Sequence, residues 1–417
     1  MNKCKICGQA TTIIINFGKM PLANGFISNP NSKEFFYNLS LAFCPMCFMV
    51  QLKKTVKPEK MFHKEYQFIS STSQIMVSHF KEIAEEIINR LKNKKNPFIV
   101  ELGCNDGIML KHIAFRKINH LGIEPSQNVA QLAKRNGVQV LSKFFNEQVA
   151  KDIVEKKGTA DIICGANVFC HIEDINSVFR GINILLKQDG ILFFEEPYIY
   201  DIIKKSSFDQ VYDEHVYYFS GLSINNLARR HGLQLVDMKH QEVHGGSMRY
   251  YIQKIAGTCP QSLRSKRCRR GKQKIELKKW LNKEKQMKLD KIEGYLDFKN
   301  KVNKICKDLK TLLSTIKQKG YRIVGYGATS KSTTLLNYAK IGRDLIDYIS
   351  DNTPTKIGKF SPGMHIPIKS YKQFIKDQPA YALLLAWNHK KEIFAKEGNY
   401  RKKGGTFITY FPKVKTE

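Results

Sequence analysis

No run of apolar residues in this 417-residue chain is long enough to cross a bilayer, and the N-terminus lacks the apolar core of a signal peptide. Acidic residues are scarce: 37 Asp and Glu stand against 69 Lys and Arg, a formal charge of +32. Such an excess favours polyanions. The lysines, however, are spread through predicted helices, and no aromatics interleave with them as an RNA-binding stripe requires. The expectation is a Lys-rich solvated surface, with neither nucleic acid nor membrane as partner. One exception is Arg264–Lys274, a basic run with Cys268 and Gly271 that reads as an exposed loop. The ten cysteines lack the arrangement of an extracellular disulfide framework: four form two C-x-x-C pairs and the rest sit singly. A reducing, cytoplasmic setting fits best. The length implies two or three domains.

What is present centres on Phe98–Leu110, FIVELGCNDGIML. A β-branched run enters Glu101-Leu102-Gly103-Cys104-Asn105-Asp106-Gly107, and an apolar helical pattern follows. The spacing is E-x-G-x-x-x-G, not the G-x-G-x-x-G of a dinucleotide fold. Glycine at 103 and 107 would let a ligand approach the backbone. This longer pattern suits S-adenosylmethionine, whose cationic methionine end favours a carboxylate such as Glu101 or Asp106; the plainer alternative is a tight turn without a ligand. The next strand, His120–Pro125, ends in Glu124, placed to accept from ribose hydroxyls. Ala160–Phe169 follows as a buried strand with Asn167 near its end, and Gly190–Glu195 supplies another. Strands alternate with helical segments, so the sheet is expected to be mostly parallel, with the ligand outside its carboxyl ends. Phe144 and Phe145 are candidates for an adenine pocket.

Upstream, Cys4-Lys5-Ile6-Cys7 and Cys44-Pro45-Met46-Cys47 frame a β-rich segment. Two such knuckles can surround one zinc with four thiolates, a closed and therefore structural site. A redox reading needs one pair beside a βαβ unit, and here there are two. Tyr66 and Ser70-Ser71-Thr72-Ser73 precede a helix, with the serine cluster as its cap.

Downstream, Tyr212-Asp213-Glu214-His215 lies among aromatics, where a His can be tuned for proton transfer. His244-Gly245-Gly246-Ser247 reads as a turn between strands Leu233–Lys239 and Arg249–Lys254. From Lys274 to Lys319 apolar residues recur at helical spacing, predicting one long amphipathic helix. Arg322–Gly327, the turn Gly325–Lys331 and the helix Ser332–Ala339 begin a second α/β unit, and Asp347–Ser350 leads into Asp351. Ser330 stands where a dinucleotide fingerprint has its third glycine, so a sugar-nucleotide diphosphate suits the turn as well as NAD does. Gly327, Lys331 and Asp351 are its candidate contacts.

In this order the residues resemble the S-adenosylmethionine-dependent C-methyltransferases of nucleotide-linked deoxysugars. The likeness rests on the paired C-x-x-C, Met20-Pro21-Leu22-Ala23-Asn24, ELGCNDG, Tyr212–His215 and HGGS. It continues through Gly325–Ala328, Thr334–Tyr338, Pro362–Pro367 and Ala386-Trp387-Asn388. It departs at Phe68, at Glu196-Pro197-Tyr198 and at Ser332. The resemblance implies an α/β protein with a zinc-binding N-terminal domain (1–75) and a Rossmann-like methyltransferase domain (76–256). A basic loop and connecting helix (257–320) and a C-terminal Rossmann-like domain for the sugar nucleotide (321–417) complete it. The implied reaction is methylation at carbon 3 of a 4-keto-deoxysugar. His215 would be the base, Glu214 its orienting group or a sugar contact, and Tyr212 an oxyanion donor. Tyr66 and His244 would touch the substrate, Cys4, Cys7, Cys44 and Cys47 would hold zinc, and a monomer or dimer is expected. The rival readings are an RNA methyltransferase with a zinc module and an NAD-dependent sugar-nucleotide enzyme.

Overall fold

A computed structural model describes residues 3–57, 69–255 and 275–417; Tyr66 and the Arg264–Lys274 run lie outside them. Three sheets organise the chain. The first is antiparallel: β1 (Thr12–Pro21), β2 (Phe36–Phe43), β3 (Val50–Leu52) and β9 (Tyr217–Tyr218), in that spatial order. Its last strand follows His215, so residues from the expected central domain complete the N-terminal module.

The second sheet carries β4 (Phe98–Leu102), β5 (Asn119–Ile123), β6 (Val140–Leu141), β7 (Ala160–Ala166), β8 (Leu186–Pro197), β10 (Leu233–Gln241) and β11 (Ser247–Lys254). Its order is β10-β11-β8-β7-β4-β5-β6. The five strands from β4 to β8 run parallel, and β11 enters antiparallel against β8. All five side chains of β4 are buried, as a central parallel strand covered on both faces requires. The helix Gln74–Leu91 packs beside it; Ser73 caps that helix by accepting from the Met76 amide at 3.4 Å.

The third sheet, β12 (Ile323–Tyr326), β13 (Ile349–Asp351), β14 (Ile368–Ser370), β15 (Tyr381–Leu384), β16 (Thr406–Thr409) and β17 (Lys415–Thr416), is parallel except at β17. Its core runs without a break into that of the N-terminal sheet, through the helix Glu293–Gln318.

That helix corrects one expectation. The segment from Lys274 to Lys319 forms two helices, Ile275–Gln286 and Glu293–Gln318. The first ends where Lys288 turns left-handed (φ 57°), with its amide donating to Lys285 O and the Leu289 amide to Glu284 O. This is a Schellman closure with lysine in the seat glycine usually takes. Glu284, fully buried, accepts from Tyr198 Oη and from the Gly221 and Leu222 amides, and so caps the helix Gly221–Arg230. No helix among the described residues is long and apolar enough to cross a membrane.

Candidate active site

The carboxyl ends of the second sheet open into a cavity of about 920 Å³, lined among others by Gly103, Asn105, Glu124, Asn167, His171 and His244. Phe144 and Phe145 stand in its wall. Both oxygens of Glu124 are engaged by the turn that presents it, Oε2 by the Asn105 amide at 3.1 Å and Oε1 by the Ser126 amide at 2.9 Å. Burial raises its pKa above the usual carboxylate value. Asn105 and Asn167 both adopt left-handed backbone (φ 47° and 53°), the conformation that turns each strand end into the wall.

Glu101, Asp106 and Gly107 are not in the cavity lining. Glu101 lies buried behind it, its pKa pushed well up first by burial and then by the charges of Asp106 and Glu124. Among the described residues, Glu101 Oε2 and Asp106 Oδ1 are buried without a hydrogen-bond partner. In the lining itself, Glu124 and Asn167 offer polar groups beside the Phe144 and Phe145 rings, a combination that suits an adenosyl group, so the residues fit that donor. The glycines also serve packing, although Gly103 lines the cavity. A Cβ at Gly103 would stand 2.7 Å from Val168 Cγ2, and one at Gly107 would stand 2.9 Å from Val138 Cγ2. Both have positive φ. The turn is tied down from above, where the Ser70 amide donates to Asn105 Oδ1 at 3.0 Å and the Ser71 amide to Asp106 Oδ2 at 3.2 Å.

The Tyr212–His215 loop is buried. The Gln210 carbonyl lies 3.1 Å from His215 Nδ1, and a carbonyl only accepts, so Nδ1 carries the hydrogen. Nε2 is then the basic nitrogen, and it accepts from the Tyr212 hydroxyl at 2.8 Å. Burial, then the neighbouring His171 and Lys331, holds the His215 pKa well below its usual value, so the imidazole is neutral. His171 stacks on it with centroids 5.2 Å apart. Burial takes the pKa values of His171 to about 4 and His244 to about 3. Cys170, His171 and His215 also bring ligand atoms within 4.8 Å of one another. Stacked imidazoles do not converge their lone pairs, and both nitrogens of His215 are taken, so this group suits proton handling and not a cation.

Glu214 does not orient His215; the Gln210 carbonyl does. Glu214 instead accepts from Asn24 Nδ2 at 2.6 Å, and burial together with Asp213 raises its pKa to about 8. Asp213 in turn accepts from the Ala23 amide at 2.8 Å.

On the C-terminal side, Lys331 begins the helix Ser330–Tyr338 and donates from Nζ to His244 O at 3.3 Å. Its Nζ lies 5.5 Å from the Trp387 ring, and burial lowers its pKa to about 8 against the opposing pull of Asp209. Asp351 accepts from the Ala328 amide at 2.6 Å and the Thr353 amide at 2.7 Å, so it shapes the turn. Gly327 backs onto Ala386. Asn24, Gln210 and Lys356 had no role from sequence; Asn24 had a signal, its place in the MPLAN stretch.

At the N-terminus the Sγ atoms of Cys4 and Cys47 lie 3.5 Å apart, as do those of Cys7 and Cys44. That is far beyond a disulfide bond of about 2.05 Å and close to the ~3.8 Å edge of a zinc–thiolate tetrahedron. The four cysteines fit a closed structural zinc.

Comparison with known proteins finds three family matches along the chain. A zinc binding domain matches residues 4–62, a methyltransferase domain 76–238 and a C-methyltransferase C-terminal domain 242–412. The chain is 28% identical to the C-methyltransferase NovU of Streptomyces niveus over 416 residues, covering 99% of this chain and 96% of that one. A ubiquinone biosynthesis O-methyltransferase of Colwellia psychrerythraea is 32% identical over 111 residues, 24% of this chain and 44% of its own. The magnesium protoporphyrin IX methyltransferase of Synechocystis PCC 6803 with bound S-adenosylmethionine is 12% identical (TM-score 0.33), covering 47% of this chain and 88% of that one, too distant to bear on chemistry. Fold and site define a methyltransferase that uses S-adenosylmethionine. More narrowly, it is a C-methyltransferase, similar over almost its whole length to one such enzyme and matching a C-methyltransferase C-terminal domain.

Proposed function

We propose that the enzyme methylates carbon 3 of a nucleotide-linked 4-keto-deoxysugar through an enolate. Carbon has no lone pair, so its methylation needs a carbanion equivalent, which loss of a proton beside a ketone provides. S-adenosylmethionine, when bound, supplies the electrophilic methyl. The observation that carries the reading is the neutral His215 with its lone pair on Nε2 and the Tyr212 hydroxyl 2.8 Å away. Once the Tyr212 hydroxyl turns away from it, His215 Nε2 takes the proton from carbon 3; the pair of that C–H bond becomes the carbon–carbon double bond, and the carbonyl π pair moves to the ketone oxygen. Tyr212, released from Nε2, donates its hydrogen bond to that oxygen, a stabilisation of several kcal/mol in comparable sites. Collapse of the enolate would then form the new C–C bond as the methyl's bond to sulfur breaks, its electron pair leaving with S-adenosylhomocysteine. Glu214, holding its proton near neutrality, donates to a sugar oxygen.

The nucleotide end is assigned to the turn before Ser330–Tyr338. Amides at a helix N-terminus with a lysine beside them suit a pyrophosphate. His244, whose Nε2 is buried without a hydrogen-bond partner among the described residues, stands between this turn and the donor cavity. Mass spectrometry of products from a panel of 4-keto-sugar nucleotides incubated with S-adenosylmethionine tests the reading. A gain of one methyl located on carbon 3 is expected; methylation of RNA, or of none of the panel, rejects it.

A further inference from the structure

The loop after β1 belongs to the zinc-bearing module, yet it sits between the two parts that handle substrate. Asn24 Nδ2 donates to Glu214 Oε1 at 2.6 Å, and Asn24 Oδ1 accepts from Ser330 Oγ at 2.8 Å. Its neighbour Ala23 makes the same double attachment: its amide donates to Asp213 Oδ1 at 2.8 Å and its carbonyl accepts from Thr333 Oγ1 at 2.9 Å. Thr334 Oγ1 closes the triangle by donating to Val211 O at 2.7 Å. Among the described residues, the two side-chain hydrogen bonds of Asn24 therefore reach two other parts of the chain: one goes to the Tyr212–His215 loop, the other to the helix that starts at Ser330.

We propose that Asn24 is a positioning residue, which orients the Glu214 carboxyl and locks it to the C-terminal turn. The inference rests on the reading of Glu214 as a substrate contact. A carboxyl group that keeps its proton presents one oxygen that accepts and one that donates. The Asn24 amide occupies Oε1 as an acceptor, so the hydrogen stays on Oε2, just as the Gln210 carbonyl fixes the hydrogen of His215 on Nδ1. The groups that bear on Glu214 are Asp213, whose charge raises its pKa after burial, Asn24 and Lys356, which lower it, with Tyr37 and Cys170 also within electrostatic reach. Removing the Asn24 donor therefore moves the Glu214 titration to higher pH. Ser330, by holding Oδ1, prevents the amide from turning over.

The test uses the full-length enzyme with bound zinc and a nucleoside-diphosphate 4-keto-6-deoxyhexose as probe. Asn24→Ala should lower kcat roughly ten-fold, the scale of one lost buried hydrogen bond. It should shift the alkaline limb of the pH profile upward and leave S-adenosylmethionine affinity, measured by calorimetry, unchanged. Ser330→Ala should move the same limb in the same direction by less. A second measurement needs no substrate: a double-mutant cycle of Asn24→Ala and Glu214→Ala on denaturant stability should show coupling between the pair. Asn24→Ala with an unmoved limb, unchanged kcat and no coupling overturns the proposal. If Glu214→Gln does abolish the limb in that case, the reading of Glu214 still stands. If Glu214→Gln is silent as well, that reading falls and the positioning role falls with it.

Discussion

Lys331 and His244 join the two halves of the site: Nζ of the first, from the C-terminal domain, donates to the main-chain oxygen of the second at 3.3 Å. His244 lines the cavity at the carboxyl ends of the second sheet, so the ammonium proposed to meet the nucleotide end also grips one of its walls. Lys331→Met should raise KM for a sugar nucleotide at least ten-fold, the loss of one charge-assisted contact. Donor affinity should stay within about two-fold. Equal losses for both ligands, read by calorimetry, would place the lysine in the donor site instead.

His215→Asn should bind both ligands and lose most turnover, about 10²–10⁴-fold for removal of a general base. The variant should also fail to exchange the carbon-3 proton with heavy water, followed by NMR without donor. Near-normal turnover would shift the base to His171 or His244.

Two groups set the expected pH profile. Burial keeps His215 neutral well below the ordinary histidine range, so the acid limb should lie under 6.5. Glu214 loses its proton near 8, and the rate should fall as pH rises through that value. Its contribution to stability has the same sign: a raised folded pKa is fully favourable below the unfolded value of 4.5 and is lost as pH rises through about 8. Glu214→Gln should flatten the alkaline limb, measured as kcat from pH 6 to 9.

Cys47→Ser should abolish zinc binding by elemental analysis and lower Tm, because metal affinity is folding free energy in so small a module. Full zinc content in that variant would remove Cys47 from the ligand set.

Much of this was legible along the chain, and the failures share a cause. ELGCNDG announced strand, turn and helix because β-branched burial and glycine punctuation are local signals. What the glycines make room for is not local: Val168 and Val138 arrive from elsewhere. The Schellman closure at Lys288 was invisible because lysine took a position that glycine normally marks. Of the two roles the sequence offers Glu214, orienting the adjacent histidine or touching the sugar, the first gives way to a partner, Asn24, that lies 190 positions away. Spacing carries no trace of such contacts.

The strand Tyr217–Tyr218 has a consequence for the order in which the chain can assemble. Hydrogen bonds along β3 wait for β9, and β9 lies beyond all five parallel strands of the second sheet. During synthesis the cysteine knuckles emerge first, but their sheet keeps an open edge until Tyr218 has left the ribosome. By then the strands from β4 to β8 can already pair. The sheet that carries the cysteine knuckles is therefore completed by the segment that also delivers His215, so a nascent chain stalled before residue 215 carries an exposed sheet edge and lacks that histidine.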